Sequence, residues 1–270
     1  MAGLARDPHG VLVVLRLLDV MDDTRTAADG LLKPLLAAET LGALLVDRSG
    51  HLPFLQALAP GHRQYFAPDQ LALLQPVTHR DPASGEQVPT SKKPAAVRRR
   101  ELTEAVIGPL ADFFVAEMTT CVMDANYGEE QPLNNKHAVN VLYEVCAAED
   151  AFSAASRPVL EALRALIDKY ADVLEKFHTS RMLKRLIHAA GVEGAPRAVV
   201  EFAQQLWSDF SGKGARFLLF LLRTKGAGYL VVAFLDLPQF DKLVREALAP
   251  SKKKIAEIDQ SAARIVMTKL

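Results

Sequence analysis

The stretch DPHGVLVVLRLL, Asp7 to Leu18, decides the fold. A short polar segment ending in glycine leads directly into an apolar, helix-like run, and the design returns as DRSGHLPFLQAL, Asp47 to Leu58. Looser versions follow at HTSRMLKRLI (His178–Ile187), KGAGYLVVAFL (Lys225–Leu235) and DQSAARIVMTKL (Asp259–Leu270). Other helical stretches precede them, such as Asp29–Leu45, Pro158–Phe177, Pro196–Phe210 and Phe240–Leu248. A helix pair with one apolar face cannot bury that face alone, so tandem pairs stack and share a core along the array. The expected fold is therefore all-α, an α-solenoid of tandem helical repeats. The spacing of roughly 35–45 residues is that of a repeat loosened by insertions. An irregular helical bundle is the alternative.

Composition agrees with a packed, helical protein. Hydrophobic residues make up 50% of the 270 and charged residues 24%, enough apolar material for a sizeable core. Leu and Ala dominate, and β-branched runs are short, which favours helix over strand. The 32 Lys and Arg balance the 32 Asp and Glu, so attraction to phosphate must come from local clustering. Cys121 and Cys146 stand far apart, with neither CxxC nor metal-ligand spacing, which fits a reducing intracellular compartment. The first residues lack the apolar core of a secretory signal and open at once on helix-like sequence, so the chain is expected to be a fragment. The segment most like a membrane span, Ala215 to Leu237, is interrupted by Arg223, Lys225, Gly226 and Gly228 and reads as two buried helices.

Two stretches break the pattern. Residues 76–94 are rich in Pro, Ser and Lys without apolar period and read as an exposed loop or linker after helical repeats in 1–75. A long helix is expected from about Ala95, bent or divided at Gly108-Pro109. Gly, Pro and Asn mark an insertion loop near 126–136.

The run Ser91-Lys92-Lys93 followed by Val97-Arg98-Arg99-Arg100-Glu101-Leu102 resembles a signature of the Puf-A (Penguin) family of divergent pumilio-repeat proteins. Asp7 to Thr24, with its Asp22-Asp23-Thr24 exit, is similar to a repeat of that family, and HTSRMLKRLI and SAARIVMTKL to its C-terminal repeats, in the same order. The resemblance covers nearly the whole chain. It implies pumilio- or armadillo-like repeats, with a C-terminal Penguin-like (CPL) domain over 95–270. It also implies sequence-nonspecific binding of RNA, and of DNA as well, in the nucleus and nucleolus. The associated roles are ribosome biogenesis with rRNA processing, alongside pre-ribosomal particle proteins, and translational regulation.

Pumilio repeats of the base-reading kind use two or three side chains on the second helix of each repeat. In the family register those places are Val11, Leu12 and Leu15, then His51, Leu52 and Leu55, then Gly228, Tyr229 and Val232. Most cannot hydrogen-bond a base edge, so base-by-base reading is not expected. Tyr229 could stack on a base, or belong to the core.

Three basic groups remain. Arg181, Lys184, Arg185 and His188 fall at i, i+3, i+4 and i+7, one face of a helix, which makes a phosphate track or a plain solvated face. Lys92, Lys93, Arg98, Arg99 and Arg100 crowd a helix start, where cations oppose the macrodipole, which hints at a phosphate or acidic partner; a nuclear-localisation patch, or intrahelical pairing with Glu101 and Glu104, is the alternative. Lys213, Arg216, Arg223 and Lys225 form a looser group that could share the Arg181 surface, while Lys252 to Lys254 read as solvated.

No catalytic residue set stands out. Gly212-Lys213-Gly214 and Gly226-Ala227-Gly228 complete no phosphate loop and read as breaks between helices, and GxSxG and HExxH are absent. His51, His62, His79, His137, His178 and His188 are expected on the surface or at caps. The expectation is a binding protein without enzyme activity, cofactor, metal, membrane or small-molecule substrate. A protein-protein scaffold in a nucleolar pre-ribosomal assembly, without nucleic-acid contact, is the alternative.

Overall fold

The computed structural model describes residues 1–75, 78–89, 92–124 and 132–270. It is an all-α helical-repeat solenoid, divided into two compact units: residues 1–113 with 135–145, and 114–134 with 146–270.

The first unit holds α1 (Ala2–Arg6), α2 (Gly10–Val20), α3 (Thr24–Ala27), α4 (Ala38–Val46), α5 (Leu52–Leu58), α6 (Pro68–Leu73), a hairpin of β1 (Thr78–Arg80) and β2 (Gln87–Pro89), the start of α7 (Ala95–Asp124) and nearly all of α8 (Lys136–Cys146). Its repeat is visible in the backbone as well as the sequence. The Asp7 carboxylate accepts from the His9 and Gly10 amides at 2.9 and 2.6 Å, and the Asp47 carboxylate accepts from Ser49 and Gly50 at 2.9 Å each. Each such turn stops one helix and starts the next, supplying an acceptor for amides left without intrahelical partners. Both glycines are there for closeness: a Cβ would lie 2.6 Å from the Leu4 carbonyl at Gly10 and 2.9 Å from the Leu44 carbonyl at Gly50. Beyond the turns, α2 and α5 pack together through buried Val11, Val14, Leu15 and Leu18 against Leu52, Phe54, Leu55 and Leu58. Each fully buried leucine contributes about 1.5–3 kcal/mol to that core.

Two expectations gain detail here. Within 76–94, β1 and β2 pair antiparallel, Thr78 with Pro89 and Arg80 with Gln87, because Asp81 caps a turn through Ala83 and Ser84 and Gly85 takes a φ of 72°. The helix from Ala95 runs through Pro109 undivided. Ser91 and most of the expected insertion loop, 125–131, lie outside the described residues; Pro132–Asn134 forms a single 3-10 turn before α8. Among the described residues one helix stretch, Ala95–Met123, is long and apolar enough to cross a membrane, yet Leu102, Val106, Leu110, Phe114 and Met118 bury one stripe of it in the protein.

The second unit contains the rest of α7, α9 (Ser153–Lys169), α10 (Phe177–Ala189), α11 (Arg197–Gly212), α12 (Gly214–Arg223), α13 (Gly228–Leu235), α14 (Pro238–Leu248), α15 (Lys252–Ala256) and α16 (Ser261–Lys269). α10 packs on α13 and α13 on α16, forming one row, while α9, α11, α12 and α14 form a second. Phe234 of α13 fastens the rows, with ring centroids 5.3 Å from Trp207, 6.3 Å from Phe210 and 5.0 Å from Phe240. α12 and α13 meet at 111°, so Ala215 to Leu237 is two core helices, as its charges and glycines indicate. The break at Gly214 uses a φ of 77°, and that at Gly226 a φ of 139°. Cys121 and Cys146 are buried thiols, not bridged to each other.

Candidate nucleic-acid interface

On α10, Met182, Leu183, Leu186 and Ile187 are buried, which turns Arg181, Lys184, Arg185 and His188 outward along the opposite side. Arg181 is exposed and the other three are half-buried. The Lys184 ammonium sits 5.4 Å from the centre of the Tyr229 ring on α13, a cation over a π face. Tyr229 is half-buried rather than enclosed, so part of its ring remains available beside the cations. Burial pushes the His188 pKa below its usual value, the Lys184 charge adds to this, and Asp236 opposes it. His188 is therefore an uncharged imidazole at neutral pH and not a fourth cation. Asp236 itself is paired with Lys269 of α16.

Lys225 lies exposed in the turn between α12 and α13. That turn backs onto α10, since a Cβ at Gly226 would lie 3.0 Å from Ser180 Oγ, the neighbour of Arg181. Arg181, Lys184, Lys225 and Tyr229 thus share the α10–α13 surface. Lys213 is drawn elsewhere: its ammonium is 2.8 Å from the Asp168 carboxylate on α9 and 5.0 Å from the Phe217 ring centre. Arg216 and Arg223 are exposed on α12.

In the first unit, the Lys92 to Arg100 cluster has structural partners that spacing along one helix does not suggest. Lys93 Nζ donates to Glu101 at 2.7 Å and to Thr24 Oγ1 at 3.1 Å, and the Thr24 hydroxyl also donates to Glu101. Backbone amides of Lys92 and Lys93 donate to the Asp22 carboxylate at 2.9 and 3.3 Å. Arg99 Nε donates to the Leu58 carbonyl at 3.3 Å, closing the end of α5. Arg98 is half-buried beside Asp19, whose pKa is raised by burial against the pull of Arg16 and Arg98. The cations at the start of α7 therefore tie it to α5 and to the segment between α2 and α3, which explains their opposition to the macrodipole without an outside partner. Lys92, Arg99 and Arg100 keep exposed side chains.

The base-reading places are closed. Val11, Leu15, Leu52, Leu55, His51, Gly228 and Val232 are all buried, leaving only Leu12 and Tyr229 partly open. Of the surface or capping place expected for His51, the structure gives the second: it is buried at the N-cap position of α5, without a side-chain cap bond. It stands where Val11 stands in the preceding repeat, and its ring is 4.3 Å from that of His137. Among the described residues no group of three or more His, Cys, Asp or Glu could hold a metal ion.

A helical repeat whose base-reading positions are mostly apolar and buried defines a divergent pumilio-type scaffold. The family model for the CPL (NUC119) domain matches residues 46–193. Over 206 residues, 75% of the chain, the sequence is 28% identical to the Pumilio homology domain family member 6 of Schizosaccharomyces pombe, covering 29% of that protein. It is 28% identical over 124 residues, 45% of the chain, to Pumilio homolog 3 of Rattus norvegicus, covering 17% of it. To Pumilio homolog 24 of Arabidopsis thaliana it is 25% identical over 236 residues, 68% of the chain and 35% of that protein. The chain thus spans between 17% and 35% of the length of these curated relatives. It belongs to the CPL (NUC119) domain family and is a Puf-A/Penguin-like pumilio-repeat protein.

Proposed function

We propose that the chain binds RNA through its sugar-phosphate backbone, with little preference for sequence, as a non-enzymatic scaffold. The observation that carries this reading is the α10–α13 surface, where Arg181, Lys184 and Lys225 stand beside the half-buried Tyr229 ring. Lys and Arg contacts to phosphate give affinity without sequence information, and the buried base-reading positions remove the means of reading a sequence. Arg185 adjoins this surface and His188 supplies a neutral donor or acceptor. Lys92, Arg99, Arg100 and Arg216 are further exposed cations that a longer RNA, or DNA, could reach. Lys93, Arg98 and Lys213 act mainly in holding the fold, and contribute to the field around the site. By the family's likeness, the setting is the nucleolus, with roles in rRNA processing among pre-ribosomal proteins and in translational regulation.

The test is anisotropy titration of labelled single- and double-stranded RNA across a range of salt. Binding that weakens steeply with salt, and weakens alike for unrelated sequences in an Arg181→Glu, Lys184→Glu, Arg185→Glu variant, is expected. Absence of binding at low salt would sink the reading and leave the protein-scaffold alternative, which the internally paired Lys93 and Lys213 favour.

A further inference from the structure

α15 and α16 pack side by side and leave between them an open, shallow cavity of about 290 Å³ lined by Ile255, Ala256, Ile258, Arg264 and Met267. Ile255 and Ile258 form a buried floor, at 1% and 8% exposure, while Ala256 is exposed and Met267 half-buried at the open side. Lys252 and Lys253 precede Ala256 by one helical turn and so fall along the same edge, and Arg264 stands one turn before Met267 on the facing helix. The lysines are exposed. Arg264 pairs with Asp259, but both side chains are largely in water, so this pair exchanges at little cost. In residues 252–264 the cations Lys252, Lys253, Lys254 and Arg264 outweigh Glu257 and Asp259.

We propose that this cavity is a docking site for an acidic protein segment, which inserts one aliphatic side chain while its flanking carboxylates meet Lys252, Lys253 and Arg264. The volume lies at the low end of ligand pockets and is open on one side, room for a side chain more than for a whole ligand. The floor decides between an acidic peptide and a nucleic acid. A nucleobase would bury its polar edge against Ile255 and Ile258 without hydrogen bonds, whereas an aliphatic side chain gains by leaving water there. No aromatic ring lines the cavity for a base to stack on. The charge balance selects carboxylates. The site lies on different elements from α10 and does not rest on RNA binding.

The experiment uses the full chain and a fluorescein-labelled, capped peptide in which aspartates and glutamates flank a single leucine, with an otherwise identical alanine peptide and an oligouridine competitor. The leucine peptide is expected to bind at low salt, and the alanine peptide about tenfold more weakly, in line with partial loss of a leucine's burial energy. Ala256→Trp, which plugs the open side, and the Lys252→Glu, Lys253→Glu variant are each expected to weaken the leucine peptide by a similar factor. All three positions are exposed, so circular dichroism melting should match that of the unaltered protein. Equal binding of the two peptides, or unchanged binding by the Ala256→Trp protein, overturns the proposal. So does displacement of the leucine peptide by oligouridine at lower concentration than by unlabelled leucine peptide, which marks a nucleic-acid surface instead.

Discussion

His137 Nδ1 lies 3.3 Å from His51 Nε2, and His51 Nδ1 lies 2.9 Å from the carbonyl of Asp47. A carbonyl only accepts, so Nδ1 of His51 carries the proton and its Nε2 is left as acceptor for His137. The chain from Asp47 through His51 to His137 thus holds the turn before α5 against the start of α8, alongside the Asn135 amide on the Val46 carbonyl. A proton on His51 Nε2 would remove that acceptor.

Burial, with the His137 charge second, lowers the His51 pKa from 6.5 to about 4. The folded-state value is below the unfolded one, so neutral His51 stabilises the fold above about pH 6.5, and that contribution is lost as pH falls toward 4. The loss is on the order of 3 kcal/mol at one pKa unit per 1.36 kcal/mol. Urea midpoints at neutral and mildly acidic pH are expected to separate in the native protein and to draw together in His51→Val, which installs the residue of the preceding repeat. Equal acid sensitivity in both proteins would contradict the role given to the pair.

The two Asp-turn glycines differ from the others in what a methyl group would strike. Gly50→Ala puts a Cβ 2.9 Å from the Leu44 carbonyl, and is expected to cost about 1–3 kcal/mol because the backbone must shift. Gly30, with nothing within 4 Å of its Cβ position and a helical setting, is the control. Gly30→Ala should be neutral or stabilising by up to about 1 kcal/mol. Thermal unfolding of the two variants in one buffer separates them.

Phe234 touches Trp207, Phe210 and Phe240 and is wholly buried. Phe234→Ala is expected to cost about 3–5 kcal/mol, and Phe234→Leu much less, because the second keeps most of the volume. Chemical denaturation followed by Trp207 fluorescence, the one tryptophan of the chain, reads the change at the site.

These elements also show where reading a sequence succeeds. The Asp7 and Asp47 turns were legible because Asp, Gly and the helix that follows are neighbours in the chain, and local chemistry fixes local geometry. The stripe of α10 was legible for the same reason. His51 was not: a histidine at a core position declares itself only through His137, 86 residues away. The Lys93 network was hidden likewise, since Thr24 and Asp22 lie 69 and 71 residues from it. The carboxylates near those cations in sequence, Glu101 and Glu104, lie on α7, so the ties to Asp22 and Thr24 gave no local signal. The hairpin at β1 and β2 had its turn signals in Asp81 to Gly85, but strands of three residues are too short to show alternation.

Charge reversal separates cations that hold the fold from those that face outward. Lys93→Glu sets a carboxylate against Glu101 and removes the donor to Thr24, so it is expected to lower the melting temperature. Arg181→Glu, on an exposed side chain, should leave melting unchanged and weaken RNA binding. Melting curves and RNA titrations on both proteins check this; the opposite assignment would move the interface to the first unit.

Tyr229 tests how RNA is held. Its ring receives Lys184 on one side and is only half-buried, so a base that stacks on it meets an aromatic surface beside cations that attract its phosphates. Stacking on an aromatic side chain is worth about 1–3 kcal/mol per base, and only unpaired bases can use it. Tyr229→Leu is therefore expected to weaken single-stranded RNA by about tenfold, a change of about 1.4 kcal/mol, while leaving duplex affinity nearly unaltered. Tyr229→Phe keeps the ring and should bind both forms like the native protein. If Tyr229→Leu weakens single strand and duplex alike, the ring serves to position Lys184 for phosphate and no base rests on it.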